Sequence, residues 1–226
     1  MNNIPFIDIH THRSMYERDT VTVKNIYPGD SIPAFTGKDF FSMGLHPWNI
    51  KSPKENNELL QIMEEALEFD HVIFVGETGL DRFVRNDFDE QLRIFEAQII
   101  MAEECHKPLI IHCVKAYYDL IGVYKKIRPA VPWIIHGYGG NPDISKQLLK
   151  INVFFSFGEN LYDSTKVIDS FRLISNERIY FETDESERGI RDIYERGAYL
   201  KNITVDDLKV RIWENFNRIE NVSINM

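Results

Sequence analysis

The sequence predicts an α/β fold, a TIM-type (β/α)8 barrel in reduced form, with the first one or two outer helices missing. Eight apolar, β-branched or aromatic runs recur along the chain, and helical stripes separate the later ones. Such alternation builds a parallel sheet with helical crossovers, and eight strands suit closure on themselves. The segments 13–19 and 28–38 account for the reduction: they are too short for crossover helices, and the second is rich in Pro and Gly. An open doubly wound sheet is the alternative.

In chain order the expected strands are IPFIDI (4–9), TVTVKNIY (20–27), DFFSMGL (39–45), HVIFVG (71–76), PLIIH (108–112), PWIIH (132–136), INVFFSF (151–157) and RIYFET (178–183). Several are apolar without alternation, as expected of parallel strands covered on both faces. Ser52, Pro53 and Glu55 combine an N-cap, a first-turn proline and a capping-box acid, followed by a Leu59, Met63, Ala66 stripe. Asp87 and Glu90 repeat the cap before Phe88, Leu92, Phe95, Ile99 and Ala102. Further stripes run from Tyr117 to Ile127, from Asn141-Pro142 to Leu148, from Ser164 to Ile174, and from Thr204 to Ile219.

The composition bounds the function. The chain of 226 residues is read as a single domain, 1–226, with 43% hydrophobic and 27% charged residues, an ordinary globular balance. Lys+Arg 26 against Asp+Glu 35 leaves a net charge of −9, which opposes broad non-specific binding to nucleic acid. It leaves open a cleft in which bound cations supply the positive charge. Cys105 and Cys113 are too few for a disulfide framework and read as reduced thiols of a cytoplasmic protein. No signal peptide and no apolar run of membrane-spanning length is expected.

The polar residues fall where a catalytic rim would need them. Alternation along the first strand puts Asp8, His10 and His12 on one face, an expensive arrangement unless the groups have partners. Two neutral imidazoles aimed at one point suit a metal ion. Glu77, His112, His136 and Asp184 finish four other strands. In barrel enzymes the C-terminal strand ends form the active-site rim, so these six side chains are expected to converge.

Other residues are candidates for substrate contact. His46 is expected to touch substrate or support a ligand, and Asp81 to anchor the following loop or orient a histidine. Arg82, Arg85 and Lys115 could meet phosphate, and Trp48 and Tyr138 could stack on a base. His71 and His106 read as ordinary surface or capping histidines, and Cys113 as a packed thiol.

The set FIDIHTH, GLHPW, VGETGLD, PLIIHC, IIHGYGG and FETD, spanning positions 6 to 184, resembles the TatD family of metal-dependent deoxyribonucleases, among the amidohydrolase-like barrels. The closing WENFNRI resembles the family's final helix. The resemblance implies two divalent ions, Zn, Mg or Mn. His10, His12 and Asp184 would hold one, His112 and His136 the other, and Glu77 would bridge them. It further implies a 3′–5′ exodeoxyribonuclease acting on DNA or a small phosphodiester. The nucleophile would be water activated by the two metals, and Asp184 would accept its proton.

Three motifs depart from the family pattern. Val114 stands where the family carries arginine, His136-Gly-Tyr-Gly-Gly replaces HCFSG, and ETDES replaces ETDSP. The ligands survive, and the changes fall on phosphate- and substrate-facing positions. An amidohydrolase or lactonase acting on a small C–N or ester substrate is the alternative enzyme. A metal-stabilised binding module is the non-catalytic one. A monomer is compatible with the sequence.

Overall fold

The computed structural model of the protein describes residues 4–13, 19–35, 37 and 39–219. Its strands are β1 (Phe6–Thr11), β2 (Thr20–Ile26), β3 (Asp39–Met43), β4 (Val72–Asp81), β5 (Leu109–Val114), β6 (Trp133–Ile135), β7 (Val153–Phe157) and β8 (Ile179–Phe181). Its helices are α1 (Pro53–Ala66), α2 (Phe88–Cys105), α3 (Tyr117–Ile127), α4 (Pro142–Leu148), α5 (Asn160–Asp163), α6 (Thr165–Leu173), α7 (Ile190–Lys201) and α8 (Val205–Ile219). In the sheet the strands follow one another in chain order, β1 to β8. A doubly wound sheet reverses its order at a switch point, and this one does not. The eight strands and the helical crossovers are those of the TIM-type class.

The chain divides into two compact units, Met1–Lys24 with His136–Met226, and Asn25–Ile135. In the first, β1 pairs with β2 and β7 with β8, both in parallel. Beyond the end of β8, Asp184 bridges in parallel to Thr11. The Tyr194 hydroxyl on α7 accepts from the Ile7 N–H and donates to the Ile7 carbonyl, fixing α7 against β1. In the second unit β3, β4, β5 and β6 form a continuous parallel ladder. Their side chains, such as Phe74, Val75, Ile110, Ile111 and Trp133, are wholly buried, as a sheet covered on both faces requires.

The expected absence of early helices holds among the described residues: none lies in 12–13, 19 or 27–35. Positions 14–18, 36 and 38 of those two segments lie outside the described residues. The Ser52 and Glu55 capping box forms, and Asn141 and Thr204 cap α4 and α8 as expected. Two caps differ. Glu90 binds Arg93 and Asn56 rather than completing a box with Asp87. Ser164 precedes α6 without a side-chain cap. Helices α5 and α7 were not expected.

The largest departure is in β4. It was expected to stop at Gly76, with Glu77 at its end, yet it runs to Asp81. The register with β5 shifts between Val75 and Thr78, so Glu77 sits inside the strand at an irregularity. Gly76 and Gly79 flank it with φ of +149° and +143°. At both, a Cβ would collide with the β5 backbone, at Ile110 and His112 respectively, so only glycine permits the pairing. His112 likewise lies within β5, two residues before its end.

Two buried glutamines on α2 hold the outgoing strand ends. Gln98 accepts from the Leu45 N–H at 2.7 Å and donates to the Leu45 carbonyl at 3.1 Å. Gln91 accepts from the Asp81 N–H at 2.8 Å and donates to its carbonyl at 3.0 Å. Seven residues apart, they lie on one helical face. Replacing Gln98 with Leu strips the buried Leu45 amide of its acceptor. It is expected to cost roughly 1–3 kcal/mol, read as a lower urea midpoint at unchanged m-value.

Candidate metal centre

In the first unit the site is assembled by backbone. The Asp184 N–H donates to the His10 carbonyl at 3.0 Å, and the His12 N–H donates to the Asp184 carbonyl at 3.3 Å. The Thr11 hydroxyl donates to the same Asp184 carbonyl at 3.2 Å. Asp184 adopts a left-handed φ of 49°, which Asp tolerates better than most residues. These bonds bring its Oδ1 to 3.8 Å from His10 Nε2 and 3.6 Å from His12 Nε2. The His136 ring lies 4.3 Å from that of His10, centroid to centroid. His10 is fully buried, whereas the Asp184 side chain is 41% exposed.

Glu182, which sequence reasoning passed over, is 1% exposed. Its Oε1 accepts from the Gly137 N–H at 2.5 Å and stands 3.6 Å from His136 Nδ1. Burial pushes this carboxyl up, but His136 and, at longer range, His10 outweigh it and hold it below the usual range. His136, Glu182 and Asp184 each offer a ligand atom within 4.8 Å of the others. The available signal was the pair of acids in FETD.

Asp8 does not follow the alternation expected of it. The β1–β2 register shifts between Asp8 and Thr11. The Asp8 carboxylate accepts from the Thr183 N–H at 2.9 Å and from its hydroxyl at 2.7 Å, and so anchors the segment that carries Asp184.

In the second unit, Glu77 is centred between two imidazoles. His46 Nδ1 accepts from the Trp48 N–H at 3.1 Å, which leaves Nε2 as the protonated nitrogen, 3.0 Å from Glu77 Oε1. His112 Nδ1 lies 3.0 Å from that same oxygen, and its Nε2 lies 3.0 Å from Asp81 Oδ2. With Asp81 accepting from Nε2, the Nδ1 lone pair of a neutral His112 faces a carboxylate oxygen. Two acceptors in that position are relieved by a cation between them. The Glu77 backbone is fixed by its N–H, which donates to Asn25 Oδ1 at 2.6 Å. His46, Glu77 and His112 also offer ligand atoms within 4.8 Å of one another. Mixed imidazole and carboxylate sets of this kind suit borderline divalent ions.

Asp81 serves as both loop anchor and histidine partner. It accepts from Trp48 Nε1 at 2.7 Å and from the Phe83 N–H at 2.8 Å as well as facing His112. Burial pushes its carboxyl up, yet the hydrogen bonds from Trp48, His112 and Phe83 prevail and leave it lowered.

The residues expected to meet substrate divide. Trp48 is exposed at the mouth of its loop, and Lys115 and Arg85 are exposed too. Arg82 is engaged: its Nε and Nη2 donate to Asp119 at 2.9 and 2.7 Å, and it stacks on Phe88. Tyr138 offers no surface for a base, being fully buried with its hydroxyl 2.8 Å from Ser145 Oγ and its ring edge-on to Phe155. Val114 is half-buried at the end of β5. His106 caps α2 in the left-handed conformation, and Cys113 is a buried thiol whose pKa burial raises. His71 lies among Phe35, Phe41 and Phe69 instead of at an open surface.

Comparison with known proteins gives a consistent picture. Residues 31–221 match the family described as TatD related DNase. The chain is 27% identical over 197 residues to YabD, an uncharacterized metal-dependent hydrolase of Bacillus subtilis (strain 168), covering 80% of this chain and 76% of that one. It is 31% identical over 150 residues to human TATDN2, described as a 3′-5′ RNA nuclease, covering 63% of this chain and 19% of that one. The crystal structure of YjjV, a TatD homologue from Escherichia coli K12, superposes with a TM-score of 0.81 at 17% identity. That match covers 97% of this chain and 99% of that one, and it shows the fold. No described helix is long and apolar enough to cross a membrane.

The lowered Asp81 carboxyl makes a prediction about acid. A depressed folded-state pKa contributes stability above the ordinary aspartate range, near 3.9, and loses it as pH falls through the lower folded value. Between about pH 5 and pH 3 the wild type is therefore expected to lose urea resistance faster than Asp81→Asn, which has no such titration.

Proposed function

The chain belongs to the TatD family of metal-dependent hydrolases, and from that premise we propose that it is a phosphodiesterase, a 3′–5′ exodeoxyribonuclease. The observation that supports this most is the convergence of imidazoles and carboxylates within each unit, around Asp184 in one and Glu77 in the other. Following the family pattern, we assign His10, His12 and Asp184 to one divalent ion, His112 and His136 to a second, and Glu77 to both. We take the chain to work as one hydrolase domain, a reading supported by a family match that runs through both units. The reduced thiols Cys105 and Cys113 support a cytoplasmic setting.

Divalent ions supply Lewis-acid polarisation of a phosphoryl oxygen and activation of the attacking water. The protein's own groups do the rest. Asp184, half-exposed beside two imidazoles, is placed to accept the proton of that water and release it to solvent. His46 holds Glu77 Oε1 in place by its Nε2–H. Asp81 fixes the tautomer of His112, and Glu182 stands 3.6 Å from Nδ1 of His136. Trp48 and Lys115 retain the exposure that substrate contact needs; Arg82 and Tyr138 are committed elsewhere.

One observation favours the second reading, an amidohydrolase or lactonase. A cavity of about 400 Å³ beside Asp184 is lined by Glu159, Glu182 and Glu185 as well. So acidic a wall suits a small neutral or cationic ester or amide better than a bare polyanion. Water activated by the same ions would attack a carbonyl carbon in place of phosphorus.

The test is elemental analysis of the purified protein, then a panel of oligonucleotides, small phosphodiesters and acyl substrates with Zn, Mg or Mn added. Hydrolysis confined to acyl substrates would replace the first reading by the second. Glu77→Ala is expected to lose most bound metal and with it all turnover. Metal content equal to wild type would remove its bridging role. Asp184→Asn is expected to lower kcat by about 10²–10⁴-fold with little change in the unfolding midpoint. Undiminished kcat would remove it as the base.

A further inference from the structure

Three large rings are displayed to solvent on the segments that follow three successive strands of the second unit. Trp48 follows β3, Phe83 follows β4 and Tyr118 follows β5; they are 64%, 72% and 67% exposed. The segments that bear them are anchored. Asp81 binds the Trp48 indole through Oδ2 and the Phe83 backbone through Oδ1. The loop is tied to β5 by the Arg82 N–H, which donates to the Val114 carbonyl at 3.1 Å. The bidentate Arg82–Asp119 pair then fastens it to the first turn of α3, which bears Tyr118. Lys115 adds an exposed cation here, its Nζ 5.9 Å from the centre of the Phe83 ring.

We propose that Trp48, Phe83 and Tyr118 form a stacking platform for consecutive bases of a single-stranded polynucleotide, with Lys115 meeting its phosphates. Ring faces accept any base, and adjacent cations track the backbone, which is the recognition chemistry of single strands. Duplex bases, already stacked on one another, cannot use it. Because the Trp48 indole and the backbone bearing Phe83 are held before binding, part of the ordering cost that opposes affinity is removed. Asp81 also binds His112, so the carboxylate that sets the platform sets a residue of the candidate metal centre. The proposal rests on the nuclease reading above and narrows its substrate to a single strand longer than the residue being cleaved.

The test uses the metal-loaded full chain and a fluorescent, hydrolysis-resistant phosphorothioate dT15, followed by anisotropy. Phe83→Ala and Tyr118→Ala are each expected to raise Kd about 5- to 150-fold, the range of one stacked base. Phe83→Tyr keeps a ring and is expected to restore binding, and the dT15·dA15 duplex is expected to bind more weakly than the single strand. Kd values equal to wild type in both alanine variants, equal affinity for the duplex, or no binding of dT15 by wild type would overturn the platform. So would a wild-type dimer that Phe83→Ala converts to monomer without altering dT15 affinity, since a second copy would then be what covers the rings. Wild-type hydrolysis of unmodified dT15 separates the two readings: turnover with ring-insensitive binding overturns only the platform, whereas binding without any phosphodiester turnover overturns the nuclease.

Discussion

The backbone bonds that clasp Asp184 between His10 and His12 are the constraint on which the first unit's site depends. They join positions more than 170 residues apart in sequence, and no side-chain choice could substitute for them. A short strand, β8, ends at Phe181, and the chain continues alongside β1 instead of turning away. Asp8, buried one turn of the pleat earlier, secures that continuation through Thr183. The carboxylate of Asp184 is consequently delivered beside two imidazoles while keeping an open side toward solvent, as a proton acceptor needs. Glu182, on the same segment, faces inward to His136, where a charge is tolerated because the backbone N–H of Gly137 and an imidazole meet it.

The second unit solves the same problem with side chains. Glu77 lies within a strand, where an ordinary ladder would bury its backbone polar groups in regular pairs. The shifted register between two glycines frees its amide, and Asn25 takes it up. Gln91 and Gln98 then act as clamps from α2, each binding both the N–H and the carbonyl of one residue at a strand exit. Their burial inside an otherwise apolar helical stripe is justified by complete hydrogen bonding. Asp81 gathers three donors, and its lowered pKa is the electrostatic record of that arrangement. One carboxylate thus orients His112 and anchors the loop that follows β4.

Much of this was legible in the sequence. Strand count, the paucity of early helices, the Ser52 box and the family motifs all depend on local pattern, and local pattern survives folding. His12, His136 and Asp184 follow their strands, whereas His10, Glu77 and His112 lie within theirs. Errors arose where local pattern was overridden. The run HVIFVG suggested a stop at Gly76, but pairing with β5 carried the strand five residues further, through Glu77. Tyr138, a candidate for stacking on a base, is turned into the core by the fold. Arg82 stood as a candidate phosphate contact because nothing near it in sequence announces Asp119.

The amino-acid sequence alone determined the parallel α/β class, the succession of elements and which residue types could bind a divalent ion. These follow from periodicity and donor chemistry, which each segment carries within itself. Tertiary structure alone decided the partners: that Asp184 lies on His10 and His12, that Glu182 and Asp81 attend His136 and His112, and that Phe83 rather than Tyr138 faces solvent. The reason is that such pairings are long-range. They are set by register between strands and by helix faces docking on them, and neither is encoded in the spacing of any one stretch of chain.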